Sequence, residues 1–487
     1  MKVLMTGNEA VAQGAYEAGV QFAAAYPGTP STEILENISL RKEITAEWAP
    51  NEKVAVESAF GASLAGARAL TAMKHVGLNV AADPFFTIGY TGINGGMVLV
   101  NADDPGLHSS QNEQDNRYYA RMAKVAMLEP SNSQESKDMV IRAMEISEKY
   151  DVLVMLRMTT RVCHSKSVVE TGERIEVPVK PYVKTPPKYI MAPANAKAAH
   201  IVVEKKLKEL EKFSNETELN YFEWNDKKIG VISAGVAYQY AKEVFGSSAS
   251  YLKLGFTFPL PMEKIKKFAE EVETLYVIEE LEPFMEEQIK AAGIKCIGKE
   301  KIPNTWELNP DIVKKSIFGT ENEIIDYDRT IAVGRPPTLC AGCPHRAFFY
   351  QLSKKKNTIV TGDIGCYTLG GAPPLNTMDT TICMGASISM AHGAKKVFER
   401  NNDNKRVVAV IGDSTFFHSG MTSLLDVVFN KGNTITCILD NRITAMTGHQ
   451  DNPGTGYTLQ GEITDTVQVE PIVRALGIKH IKTVNPM

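Results

Sequence analysis

No stretch of this chain approaches the roughly 20 consecutive apolar residues that span a bilayer, and no segment is low in complexity or repeats with a solenoid period. There is no basic excess. Lys and Arg number 53 against 57 Asp and Glu, so a general electrostatic footprint for nucleic acid is lacking. Cysteine is scarce and odd in number, seven in 487 residues, which argues against a disulfide framework. The N-terminal MKVLMTGNEAVAQGAYEAGV carries one lysine, and Thr6, Gly7, Asn8 and Glu9 interrupt its apolar run. It reads as strand, turn and helix, not as a signal peptide. These absences set aside membrane, nucleic-acid-binding and disulfide-stapled classes. A soluble, cytoplasmic protein is expected.

What is present is ordinary globular composition, 44% hydrophobic and 23% charged, over a length that suggests about three domains. Strand-like and helix-like segments alternate, the pattern of doubly wound, mostly parallel α/β sheets. A first domain is expected over 1–178. It includes YPGTPST, where Thr29 and Ser31 open a helix, and the small-residue helix around Ala55, Ala59, Ala62 and Ala65. The proline-rich PVKPYVKTPPKYIMAPANAK and a charged helix make a connection over 179–227. A second α/β domain spans 228–300, a polar connection 301–334, and a third domain 335–487. The closing ALGIKHIKTVNPM reads as a helix end followed by a strand, so the chain is expected to continue beyond it.

The chemistry concentrates at VVAVIGDSTFFHSG, residues 407–420. A continuous β-branched run reads as a central parallel strand, and Gly412, Asp413 and Ser414 follow its tip. Ligands of open α/β sheets bind outside such tips. Asp413 therefore reads either as a cation ligand or as the cap of the next helix. A second strand, TITCIL, ends in Asp440-Asn441, 28 positions after Asp413. That is the room a helix and a parallel return strand need. Asp413, Asn441 and the carbonyl of Ile443 are then hard oxygen ligands suited to Mg²⁺.

Gly-Asp, this gap and Asp-Asn-x-Ile resemble the diphosphate-binding motif of thiamine-diphosphate enzymes. Together with YPGTPSTEI, NEKVAVESAFGASLAGAR, MKHVGLNVAADP, PTLCAGCPHR, GDIGCYTLG and ILDNRITAMTGHQ, the whole chain resembles the α-subunit family of indolepyruvate:ferredoxin oxidoreductases. These are thiamine-diphosphate-dependent 2-oxoacid:ferredoxin oxidoreductases. The resemblance implies a pyrimidine-binding domain, a transketolase-C-like domain and a diphosphate-binding domain. It also implies a C-terminal ferredoxin-like module that this sequence does not reach.

By that resemblance Glu52 is the acid against the aminopyrimidine of thiamine diphosphate, Glu57 being the alternative in the same helix. A capping role in the first turn beside Asn51 is the structural alternative. Gly365, Cys366, Met384 and Gly385 match family positions that line the cofactor, and His345 lies close by. Cys340-Ala-Gly-Cys343 has the spacing of a metal knuckle. In related enzymes the counterparts of Cys340, Cys343 and Cys366 bind a [4Fe–4S] cluster, which needs a fourth ligand; reduced thiols in a proline-bounded loop are the alternative. Thr29, Lys74 and His75 are candidate substrate contacts, through a helix N-terminus and positive charge. The implied reaction is oxidative decarboxylation of aryl 2-oxoacids such as indolepyruvate to the aryl-acetyl-CoA and CO₂. The implied partners are ferredoxin, coenzyme A and a smaller β subunit in a hetero-oligomer. A non-oxidative thiamine decarboxylase, or a cofactor-binding fragment without turnover, are the rivals.

Overall fold

The computed structural model describes residues 1–323 and 328–485. Part of the expected 301–334 connection and the last two residues of the expected third domain lie outside the described residues. The chain divides into two compact units, Met1–Ile324 and Ile325–Met487.

In the first unit the expected first domain supplies β1 (Lys2–Thr6), β2 (Phe22–Ala25), β3 (Thr45–Trp48), β4 (Ala69–Lys74), β5 (Met97–Asp103), β6 (Ala126–Leu128), β7 (Val154–Thr159) and β8 (Lys166–Glu170). β1 and β8 form an antiparallel ribbon. The main sheet runs β12-β6-β7-β5-β4-β2-β3, where β12 is Phe256–Phe258, and β6, β7, β5, β4, β2 and β3 are mutually parallel. β5 and β7 are buried at every residue, as expected of strands covered on both faces. The small-residue helix Glu52–Leu64 buries Glu52, Ala55, Val56, Ala59 and Ser63, one helical stripe. Ala65, expected on that packing face, is exposed because the helix has already ended.

The second sheet, β13-β10-β11-β9, comprises β9 (Asn220–Glu223), β10 (Ile229–Ala234), β11 (Ser250–Leu254) and β13 (Thr274–Ile278). Two short strands fall outside the expected segmentation. β9 comes from the expected connection and closes an edge of this sheet, while β12 (Phe256–Phe258) leaves it to pair with β6 of the first. One apolar core accordingly runs from Val56 and Leu99 to Ile232 and Phe268. The charged helix is there, Pro193–Glu216, burying only Val203, Leu210 and Ser214.

The second unit holds one parallel sheet, β14 (Thr358–Thr361), β15 (Arg406–Gly412) and β16 (Ile435–Leu439), with β15 in the centre. β15 is the buried strand its sequence predicts. β16, also expected to be buried, is only partly so, because it lies at the edge. No strand forms after Gly477 among the described residues, so the expected last strand is absent there. No helix among the described residues is long and apolar enough to cross a membrane.

Within the first unit, buried charges tie the two sheets together. Arg117 is almost wholly buried. It donates to Asp115 through Nε and Nη2, to Glu279 Oε2 at 2.6 Å, and to the carbonyls of Glu280 and Glu282 at 2.8 and 2.9 Å. Arg157 on β7 donates to Asp103 Oδ2 at 2.9 Å and Glu129 Oε2 at 2.7 Å. Glu279 and Glu280 directly follow β13, so the network clamps the end of the second sheet onto the C-terminal edge of the first. Burial pushes the Glu280 carboxyl up to about 7, against the backbone hydrogen bond from Leu308. This proton is held more tightly in the folded chain than in the unfolded one. The stabilisation it gives is full below the ordinary value of 4.5 and is lost as pH rises to about 7. Glu280→Gln keeps the acceptor for Leu308, so it is expected to stabilise the protein by about 2–3 kcal/mol at pH 8 and hardly at all at pH 4.5. Denaturant unfolding at the two pH values checks it, and equal effects at both would contradict it.

Candidate cofactor site

Parallel pairing of β14, β15 and β16 brings three strand tips to one edge of the second unit. Gly412 pairs with Leu439, so Asp413 and Asp440-Asn441 leave the sheet side by side. Asp413 is buried. One side-chain amide atom of the exposed Asn441 lies 3.0 Å from both Asp413 Oδ1 and the carbonyl oxygen of Ile443. As oxygen, it completes a set of three oxygens with no proton among them; turned over, the amide donates to both neighbours. Adjacent ligands of an octahedral Mg²⁺ with oxygens at 2.0–2.1 Å lie about 3 Å apart. The donor set and its spacing therefore fit that ion. Burial pushes the Asp413 carboxyl above the usual range; the Asn452 amide opposes this, and the Asp440 charge adds to it. A bound cation would reverse the balance.

The other loops at this edge are laced to the same place. Gly412 has no room for a side chain, since a Cβ would lie 2.2 Å from the Tyr367 ring. The Tyr367 hydroxyl donates to the Ile364 carbonyl and bonds Thr415, joining the Gly365–Cys366 loop to the Asp413 loop. Ser414 and Thr444 share a hydroxyl bond of 2.7 Å. Asp363 is fully buried and accepts from the backbone N–H of Gly385 at 2.8 Å and of Ser387 at 3.0 Å. This fixes Met384 and Gly385 at the start of the helix Ala386–Arg400. Gly385 has φ +83°, and a Cβ there would meet Ser419. His345 is buried in the first turn of the helix Pro344–Ser353, with Nδ1 unpartnered, and burial pushes its pKa down.

The Cys366 thiol is pushed up first by burial and then by Cys340 and Cys343. Among the described residues, however, no three His, Cys, Asp or Glu side chains are placed to hold a metal ion. Cys437 is half-buried in β16, and burial pushes its thiol up to about 11. Cys163 is buried.

In the first unit, the C-terminal edge of the parallel strands presents Thr29, Glu52, Lys74 and His75. Asn51 caps the helix of Glu52 by accepting from Val54 N at 3.0 Å. The capping expected of this segment is thus done by Asn51, and Glu52 is buried as the first helical residue. Glu57 lies on the exposed face, ion-paired with Lys53. Ser31 makes no side-chain cap; its hydroxyl donates to Gly28 O at 2.9 Å. The stem of Lys74 packs 3.2 Å from where a Cβ of Gly28 would be. Lys74 Nζ donates to Ser109 O at 2.9 Å, and Ser109 Oγ donates to Thr29 O at 3.1 Å. Burial lowers the Lys74 pKa to about 8, against the charges of Asp104 and Glu52. His75 is fully buried, its Nε2–H given to Asn112 O at 3.1 Å and its Nδ1 unpartnered. Gly77 lies inside the helix His75–Val80.

Comparison with known proteins places the chain in the thiamine-diphosphate-binding class. The family model for the C-terminal TPP-binding domain of thiamine pyrophosphate enzymes matches residues 363–487. That for the thiamine-diphosphate-binding region of pyruvate flavodoxin/ferredoxin oxidoreductases matches residues 13–219. Indolepyruvate oxidoreductase subunit IorA of Archaeoglobus fulgidus is 41% identical over all of this chain and 82% of its own length. Its counterpart in Pyrococcus abyssi is 42% identical over all of this chain and 81% of its own. The chain belongs to the IorA family of indolepyruvate oxidoreductase subunits. In fold it is similar to the solved 2-oxoglutarate:ferredoxin oxidoreductase of Magnetococcus marinus, with a TM-score of 0.54 and 16% identity over 65% of this chain and 64% of that one.

One residue of the site was not foreseen from sequence. Asn452 Nδ2 donates to Asp413 Oδ2 at 2.9 Å, while its own oxygen accepts from Gly454 N at 2.8 Å. The second carboxylate oxygen of Asp413 is thereby held, and the first is left to face Asn441. Asp413→Ala is expected to abolish Mg²⁺-dependent thiamine diphosphate binding with the fold intact, and Asn452→Ala to weaken it about 10- to 100-fold. Calorimetric titration at varied Mg²⁺ checks both, and unchanged affinity would remove the residue concerned from the site.

Proposed function

We propose that this chain is the catalytic subunit of an enzyme that oxidatively decarboxylates aryl 2-oxoacids, indolepyruvate among them. A 2-oxoacid and coenzyme A give CO₂, the aryl-acetyl-CoA, a proton and two electrons, which leave singly to ferredoxin. The observation that carries this reading is the meeting of the Asp413 carboxylate, the Asn441 side-chain amide and the Ile443 carbonyl at adjacent strand tips, in a chain of the IorA family. These residues would hold Mg²⁺ and, through it, the cofactor's diphosphate. Gly365, Cys366, Met384, Gly385, Gly412, Ser414 and His345 would line the same cofactor. Thiamine diphosphate, when bound, supplies the carbon nucleophile and the electron sink that decarboxylation of a 2-oxoacid requires.

The chain's own part is proton handling and placement. Glu52, buried where a hydrogen bond is strong, would hold its carboxyl proton against the cofactor's aminopyrimidine and so support C2 deprotonation. Glu57 is exposed and ion-paired, which favours Glu52 of the two. Lys74 and Thr29 receive the substrate carboxylate, with His75 behind them holding the segment around Asn112. A smaller β subunit completes a hetero-oligomer, in keeping with relatives that are themselves named subunits.

Cys340, Cys343 and Cys366 are the candidate ligands of a [4Fe–4S] cluster. Among the described residues they do not by themselves complete a metal site. Iron and sulfide analysis of anaerobically purified protein decides the matter: about four of each per chain supports a cluster, and none removes it.

The activity is tested anaerobically with an aryl pyruvate, coenzyme A and a viologen dye, with and without the β subunit. Dye reduction that requires coenzyme A supports the oxidative reading. Release of CO₂ and aldehyde without dye reduction would indicate a non-oxidative decarboxylase, and no turnover with the β subunit present would leave a cofactor-binding chain only. Glu52→Gln keeps shape and packing, so it is expected to bind cofactor nearly normally while slowing exchange of the C2 proton by orders of magnitude. NMR of C2–H/D exchange measures this, and exchange at the wild-type rate would transfer the role to another acid.

A further inference from the structure

Gly77 occupies the third position of the helix His75–Val80. Its backbone needs no glycine, since its φ is not among the positive values, and alanine is the better helix former. The reason for glycine lies in what a side chain would meet. A Cβ there would sit 2.6 Å from Oε1, 2.8 Å from Cγ and 2.9 Å from Cδ of Glu52. At Gly7, Gly14, Gly66 and Gly95 the nearest atom is instead a backbone carbonyl oxygen of a neighbouring segment. There glycine allows two stretches of chain to approach. At Gly77 the three nearest atoms all belong to one side chain, and that side chain is Glu52.

The other end of Glu52 is already fixed. The Asn51 cap pins the first turn of its helix, and burial leaves the side chain little choice of path. We propose that Gly77 is a positioning residue for Glu52: its bare backbone forms the seat against which the carboxylate lies, and so sets where the acid stands. This rests on the reading of Glu52 as the acid that supports C2 deprotonation. The three nearest atoms that a methyl group at Gly77 would strike are Oε1, Cγ and Cδ of Glu52 and not backbone, so the side chain is what must shift. What the methyl cannot leave in place is the carboxylate.

The test is a cycle of Gly77→Ala, Glu52→Asp and Glu52→Gln in the full chain with its β subunit, read by thermal unfolding, calorimetric cofactor affinity and C2–H/D exchange. Gly77→Ala is expected to leave the melting temperature and cofactor affinity unchanged and to slow exchange about 10- to 100-fold. In the Glu52→Asp background, where the shorter side chain clears the methyl, the same substitution is expected to change exchange less than about twofold, the coupling of residues in contact. Wild-type exchange in Gly77→Ala, with Glu52→Gln slow, would overturn the positioning role and leave the acid in place. Wild-type exchange in Glu52→Gln would overturn both. Loss of folding or of cofactor affinity by Gly77→Ala in both backgrounds would make Gly77 a packing glycine and overturn the proposal.

Discussion

The register of β15 on β16 is the constraint from which the second unit takes its chemistry. Parallel strands end at the same edge, so Gly412 opposite Leu439 decides that Asp413 and Asn441 leave the sheet as neighbours. A slip of one residue would turn Asp413 to the other face. Each further contact at this edge secures that juxtaposition. Tyr367 fills the space that the missing side chain of Gly412 leaves, and Ser414 and Thr444 bind adjacent loops across the strand tips. Asp363 spends its carboxylate on the backbone of Gly385 and Ser387, so a buried acid in the same unit serves as scaffold.

The first unit meets the same requirement by a costlier route. Arg117 and Arg157 are buried among Asp103, Asp115, Glu129 and Glu279. Replacing such groups with apolar ones is often neutral or stabilising, whereas breaking one pair is severe. Their geometry is therefore a device for specificity: only one placement of β13 against the edge of the first sheet satisfies all the donors of Arg117. That same edge carries Lys74 and His75, so the clamp and the candidate substrate side share a foundation.

How much of this was legible beforehand depended on the kind of signal. Asp413 and Asn441 could be paired from sequence because two apolar runs and the length between them specify a parallel return. Glu52 could be placed at a helix start because Asn51 precedes it, but only the fold tells its buried face from the exposed face of Glu57. Asn452 was not legible. It approaches Asp413 through an irregular loop, and HQDNPG carries only turn chemistry. The Arg117 and Arg157 network was equally silent, since nothing in a sequence distinguishes a buried arginine from a solvated one. β9 and β12 escaped notice because strands of three or four residues have too few alternations to register, and the expected strand after Gly477 did not form among the described residues.

The hold of Asn452 on one oxygen of Asp413 has a consequence for which ion the site accepts. The amide hydrogen bond takes one lone pair of Asp413 Oδ2 and restrains the rotation of the carboxylate, with Oδ1 turned towards Asn441. Calcium favours six to eight oxygens at 2.3–2.6 Å and readily takes both from one carboxylate, while magnesium asks for six at shorter range and keeps its waters. A carboxylate restrained in this way would favour contact through one oxygen, the mode that suits the smaller ion. Discrimination between two alkaline-earth metals would then reside in a neutral side chain that touches neither.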